Sequence, residues 1–128
     1  MDNFLGFQTK VDFYGCDSEK INSPEFIEKT LLSAATLMNL SVVQSTIHEF
    51  SPIGISGVLV IEESHIAIHT WPEYNYVAID FFTCNKSYLL KEGILWLKEQ
   101  FSALKIEIKN DNRGNLEITK QYSHTNEN

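Results

Sequence analysis

Three β-rich runs between Val58 and Cys84 constrain this chain more than any other feature. Val58-Leu59-Val60-Ile61, Ile66 to Trp71, and Val77 to Cys84 are separated only by Glu62-Glu63-Ser64-His65 and Pro72-Glu73-Tyr74-Asn75. Those connections have turn chemistry and are far too short for a crossover. Parallel neighbours need a dozen or more connecting residues, so the three runs must pair as adjacent antiparallel hairpins.

The flanking segments complete the architecture. Phe7, Thr9, Val11 and Phe13 alternate with Gln8, Lys10, Asp12 and Tyr14, the period of a half-buried strand. Ser23-Pro24 reads as an N-cap with proline at the first helical position, and Ile27, Leu31, Ala34, Ala35 and Met38 follow at helical spacing toward a stop at Asn39. Val42 to Phe50 is β-branched and predicts a strand, which Pro52, Gly54 and Gly57 interrupt. Ser87 is positioned to cap a second helix with an apolar stripe of Leu90, Ile94, Leu97, Phe101 and Leu104. A last strand is expected over Lys105 to Lys109, then polar sequence beyond Asn110 and a frayed tail from about Lys120. Two helices cover only one face of an antiparallel sheet, so the fold class is α/β, a two-layer sandwich in a single domain spanning 1–128.

Pairing Thr70 with Val77 puts Ile66, Ile68, Thr70, Val77, Ile79 and Phe81 on one face, under the helices. The other face then carries Ala67, His69, Ala78, Asp80, Phe82 and Cys84, and a one-residue slip would exchange the two. That mixture of small, polar and ionisable side chains suits a site better than a core. With Phe50, Trp71 and Phe82 nearby, it suits an interface with a second copy better than open water.

Composition narrows the function. Hydrophobic residues make up 43% of the 128 and charged residues 21%, which excludes a disordered or fibrous chain. Seventeen acids against 10 bases give a formal charge of −7, with no basic stripe for nucleic acid and no basic amphipathic helix for a membrane surface. The longest apolar runs are far too short to span a bilayer. Met1-Asp2-Asn3-Phe4 has no basic n-region of a secretory signal, and two cysteines make no disulfide framework, so a cytoplasmic, reduced setting is expected. His48, His65, Cys16 and His124 lack ligand spacing, and no metal is assigned. Gly54-Ile55-Ser56-Gly57 is not a phosphate loop.

Three segments together resemble one family. Phe50-Ser51-Pro52-Ile53-Gly54-Ile55-Ser56-Gly57, Glu63-Ser64-His65-Ile66-Ala67-Ile68-His69-Thr70-Trp71-Pro72-Glu73 and Asp80-Phe81-Phe82-Thr83-Cys84 look like bacterial and archaeal S-adenosylmethionine decarboxylase proenzymes. The similarity runs from about Gly6 to Gly114 and includes Tyr14-Gly15-Cys16-Asp17 and Arg113-Gly114. The resemblance implies a self-cleaving, pyruvoyl-dependent carboxy-lyase. It would convert S-adenosylmethionine, through a Schiff base, to the decarboxylated aminopropyl donor for spermidine synthesis. It also implies a homodimer with sheets face to face and shared active sites. Cleavage between Glu63 and Ser64 would give chains 1–63 (beta) and 64–128 (alpha), the pyruvoyl group arising from Ser64.

By the same resemblance, His69 manages protons during processing, Ser56 supports the processing intermediate, and Cys84 is the proton donor after carbon dioxide leaves. Phe50 would stack on adenine, Glu73 would meet ribose hydroxyls, and Trp71 lies among these substrate contacts. Taken singly, each has an ordinary role: a turn serine, a strand histidine, a small buried thiol, interface aromatics. Their joint order carries the assignment. Two departures stand out: Gly6-Phe7-Gln8 where the family has glycine, a basic residue and histidine, and Asn85 where it has glycine. A pyruvoyl-dependent arginine or ornithine decarboxylase, and a non-catalytic activating subunit, are the alternatives.

Overall fold

A computed structural model describes residues 3–84 and 89–123. Six strands appear in chain order as β1 (Phe4–Tyr14), β2 (Val42–Glu49), β3 (Ile55–Ile61), β4 (Ser64–Trp71), β5 (Tyr76–Thr83) and β6 (Lys105–Asn115). Helix α1 (Pro24–Leu37) follows β1, α2 (Leu90–Gln100) follows β5, and a short α3 (Leu116–Gln121) follows β6. Single 3-10 turns lie at Lys20–Asn22 and Pro72–Tyr74. The strands form one antiparallel sheet in the order β2-β3-β4-β5-β1-β6.

Thr70 pairs with Val77, and Ile55 with Thr70, so the expected parity holds. Ile66, Ile68, Val77, Ile79 and Phe81 are buried with Val11, Phe13, Ile55 and Leu59 beneath the helices. Ser23 caps α1 by accepting from the Phe26 N–H, with Pro24 in the first turn. The helix buries Ile27, Leu31, Ala34 and Ala35, and Asn39 turns the chain away at φ 61°. Helix α2 buries Ile94 and Leu97 and meets α1 at Gly93, where an added Cβ would lie 2.5 Å from the Met38 side chain. Phe101 closes that end, edge-on to Phe13 at 5.2 Å.

Several local expectations change. The expected cap, Ser87, lies outside the described residues, and Leu89 stands at the capping position of α2. Leu104 does not continue the α2 stripe: it is 82% exposed. The helix ends at Gln100, Ser102 reverses the chain at φ 56°, and the Leu104 N–H already bonds Tyr14 O, so helical spacing no longer applies. Strand β6 runs on to Asn115 rather than stopping at Lys109, because β1 pairs with it along its length. As an edge strand with largely exposed side chains it tolerates polar sequence. Asn115 then caps α3 by accepting from Ile118 N–H, and Leu116 N–H bonds Asn3 O, a helix in polar sequence where none was expected. The end of the expected tail, 124–128, lies outside the described residues.

Stability should track this packing. In a Ser64→Ala background, Phe13→Ala should cost about 3–5 kcal/mol of unfolding free energy in urea. Leu104→Ala should change it by less than about 0.5 kcal/mol. A large loss at Leu104 would restore the helical stripe and contradict the observed chain reversal.

Candidate active site

The residues singled out by the sequence gather at the two ends of β4. At its start, Ile61 pairs with Ser64 across a turn whose last residue, Glu63, sits at φ 61°. A left-handed glutamate is disfavoured by about 1–2 kcal/mol, so the surrounding structure must hold it. Glu62 N–H contributes by bonding Ser41 O. The turn aims the carbonyl of the Glu63–Ser64 peptide at the residue just past β5, Cys84, whose Sγ donates to Glu63 O at 2.7 Å. A thiol therefore sits on the carbonyl that an attack by Ser64 would polarise.

At the far end, Ser56 on β3 pairs with His69 on β4. Their side chains share a 2.8 Å hydrogen bond between Ser56 Oγ and His69 Nδ1. The imidazole accepts it when Nδ1 is bare and donates it when Nδ1 carries a proton. Phe50, Ser56, His69, Trp71 and Glu73 line one cleft of about 320 Å³. Its loop is pinned from behind. Phe50 N–H bonds Gly54 O, Gly54 N–H bonds Asn22 Oδ1, and Ile55 N–H bonds Oγ1 of the buried Thr70.

Glu73 is carried by the 3-10 turn Pro72–Tyr74, which Asn75 ends at φ 54°. Asn75 Nδ2 donates to Cys16 O and Cys16 N–H to Asn75 O, both at 2.8 Å. The Tyr14-Gly15-Cys16 segment thus holds the Glu73 turn, a role that the sequence did not reveal. Burial pushes the Cys16 thiol up to about 11, so it stays neutral. Beyond Trp71 the aromatic rows continue. Trp71 lies against Tyr76 at 5.3 Å, and Tyr76 against Tyr14 at 5.4 Å. The Tyr76 hydroxyl donates to Asp12, and burial, with that bond, raises its pKa.

The two groups do not meet within one chain. His69 lies five residues along β4 from Ser64, roughly 17 Å at the usual strand rise. Ser64 also follows the alternation of the buried Ile66, whereas His69 belongs to the open face. Of the departures, Gln8 has a partner, accepting from Arg113 Nη1 at 3.0 Å, while Asn85 lies outside the described residues. Among the described residues no group of three or more His, Cys, Asp or Glu side chains is placed to hold a metal ion. No described helix is long and apolar enough to cross a membrane.

Comparison with known proteins places this two-layer α/β chain among decarboxylases made as proenzymes. The S-adenosylmethionine decarboxylase family profile matches residues 8–114. The chain is 39% identical over 120 residues to the S-adenosylmethionine decarboxylase proenzyme of Acidithiobacillus ferrooxidans, covering 94% of this chain and 90% of that protein. It is 38% identical over 114 residues to that of Clostridium botulinum, covering 89% and 98%. The crystal structure of the adenosylmethionine decarboxylase from Aquifex aeolicus superposes with a TM-score of 0.80 at 31% identity, covering 88% of this chain and 93% of that one. This chain belongs to the S-adenosylmethionine decarboxylase family.

The two cysteines should behave differently toward a small thiol reagent at pH 8. Native protein should show one reactive thiol, absent from Cys84→Ala, while Cys16 reacts only after denaturation. Two equally fast thiols would contradict the burial of Cys16.

Proposed function

We propose that this chain is an S-adenosylmethionine decarboxylase proenzyme. It makes its own pyruvoyl group at Ser64 and works as a homodimer with shared active sites. The observation that carries this reading, beside family membership, is the Cys84 thiol on the Glu63 carbonyl. The junction residues fit generation of the group: a serine hydroxyl follows the peptide carbonyl, and a hydrogen-bond donor already addresses its oxygen.

Ser64 Oγ adds to the Glu63 carbonyl carbon, and the C–N bond breaks as nitrogen takes the hydroxyl proton. The peptide becomes an ester with a free amine on residue 64. A base then removes the Cα proton of residue 64, Cα=Cβ forms as the Cβ–O bond breaks, and residues 1–63 leave with a free carboxylate. Tautomerisation and one water release ammonia and leave a ketone on residue 64. That ketone, conjugated to an amide, supplies the electron sink that lets a substrate amine's carbon lose carbon dioxide. Cys84 is the acid that returns a proton to that carbon.

The proton-handling pair serves the junction of the opposite chain. His69, five residues along β4, and Ser56, paired with it on β3, are too far from Ser64 of their own chain to reach it. A two-fold pairing of open faces would bring each cleft against the partner's junction. Phe50 at 48% exposure, Val58 at 40%, Val60 at 43% and Trp71 at 39% give this face the apolar surface such a pairing needs. Within the cleft, Phe50 and Trp71 offer rings for a purine and Glu73 a carboxylate for ribose hydroxyls. Two free cysteines suit a reducing, cytoplasmic setting.

Purified protein should resolve on a denaturing gel into two fragments of similar size, and Ser64→Ala should remain one chain of 14.7 kDa. Wild-type protein that stays intact after prolonged incubation would sink the self-processing reading.

Substrate identity has its own test. Processed protein should release carbon dioxide from S-adenosylmethionine, and Phe50→Ala should weaken that substrate about tenfold while self-cleavage continues. Release of agmatine from arginine or putrescine from ornithine, with S-adenosylmethionine untouched, would make it a different decarboxylase of this chemistry.

A further inference from the structure

Beside the junction lies an aromatic stack that the mechanism above does not use. His65 immediately follows Ser64, and its ring lies parallel to Phe82 on β5, with centroids 5.6 Å apart and planes 6° apart. His65 and Phe82 are also a paired position, at the end of the β4–β5 ladder nearest the junction. Phe82 in turn lies over Gly6 of β1, where an added Cβ would come within 2.6 Å of the ring. Three strands thus contribute to one stack, and only a residue without a side chain leaves room at its base. Two residues beyond Phe82, on the same face by alternation, is Cys84.

We propose that the Gly6–Phe82–His65 stack positions the residue-64 group relative to Cys84, with His65 acting as a positioning residue through its ring face rather than through its proton. This rests on self-processing at Ser64. Before cleavage, residue 64 is held from both sides, by the Glu62–Glu63 turn and by β4. Afterwards the turn no longer restrains it, and His65 is its one covalent neighbour. The stack then sets where residue 64 points, and it holds the end of β5 that carries the thiol. An offset-parallel aromatic pair, worth a few-fold in an equilibrium, suits this role because it constrains direction as well as distance.

The test compares His65→Ala with His65→Phe, alongside wild type. Both substitutions remove the imidazole, but phenylalanine keeps a ring to lie on Phe82. His65 is exposed, so both variants should fold. His65→Ala should slow self-cleavage on a denaturing gel by about two- to tenfold. In the cleaved protein it should lose hydrogen-exchange protection in the first residues of β4, and per turnover it should inactivate more often. His65→Phe should restore all three and keep the wild-type pH profile, whereas Gly6→Ala, which displaces Phe82, should behave like His65→Ala. If His65→Phe is as impaired as His65→Ala, the imidazole itself is needed and the positioning role is wrong. If His65→Ala matches wild type, the stack does not position residue 64. A wild-type chain that never cleaves would instead overturn the self-processing reading, and this inference with it.

Discussion

The register of the three central strands is the constraint on which every other feature rests. Ile55 opposite Thr70, and Thr70 opposite Val77, fix which side chains go under the helices and which are left over. A slip of one position would bury His69 and Asp80 and expose Ile68 and Ile79. Two groups of forces hold the register. The apolar residues of one face enter a core capped by α1 and α2, and the connecting turns have fixed lengths. Thr70 adds a polar lock, since its buried hydroxyl accepts the Ile55 N–H beside the cleft.

From this register comes the division of the site. Strand β4 carries the junction at one end and the imidazole at the other, and neither can move along a paired strand. On the proposed reading, chemistry that needs both would bring the second from another copy across the open face. The same face changes character across the sheet. Toward β1 and β6 it is closed by polar pairs, with Lys10 on Asp111 at 2.8 Å and Arg113 on Gln8. Around β3, β4 and β5 it is mixed and more open, with exposed Val58, Val60 and Trp71 beside Ser56, His69 and a half-buried Asp80.

Much of this was legible in the sequence because hairpin turns and alternation are local signals. Ser23-Pro24, the β4–β5 pairing and the contrast of the two faces all follow from residues close together in the chain. What escaped notice depends on residues far apart. Leu104 kept helical spacing after the helix had ended at Gln100 and the chain had reversed at a left-handed Ser102. The polar run after Asn110 pairs as a strand because β1, more than a hundred residues earlier, provides its partner. The mutual bonds of Cys16 and Asn75 and the bed that Gly6 makes for Phe82 leave no trace in periodicity. For the site, residue identities were recognisable from motif order, but the separation of Ser64 from His69 into two groups becomes concrete only with the strand drawn at full length.

The strand order has a consequence for a chain cut between Glu63 and Ser64. Fragment 1–63 would own β1, β2, β3 and α1, and fragment 64–128 would own β4, β5, β6 and α2. In the sheet these are interleaved, with β1 inserted between β5 and β6 of the other fragment. The fragments therefore share three strand boundaries and one core, and they cannot part without tearing the sheet open in three places. Loss of the peptide bond would leave the folded body intact but change the order of its unfolding. A unimolecular equilibrium would become one that releases two molecules, with a midpoint that depends on protein concentration. A proenzyme built this way folds once as a single chain, and its interwoven topology then keeps the halves together.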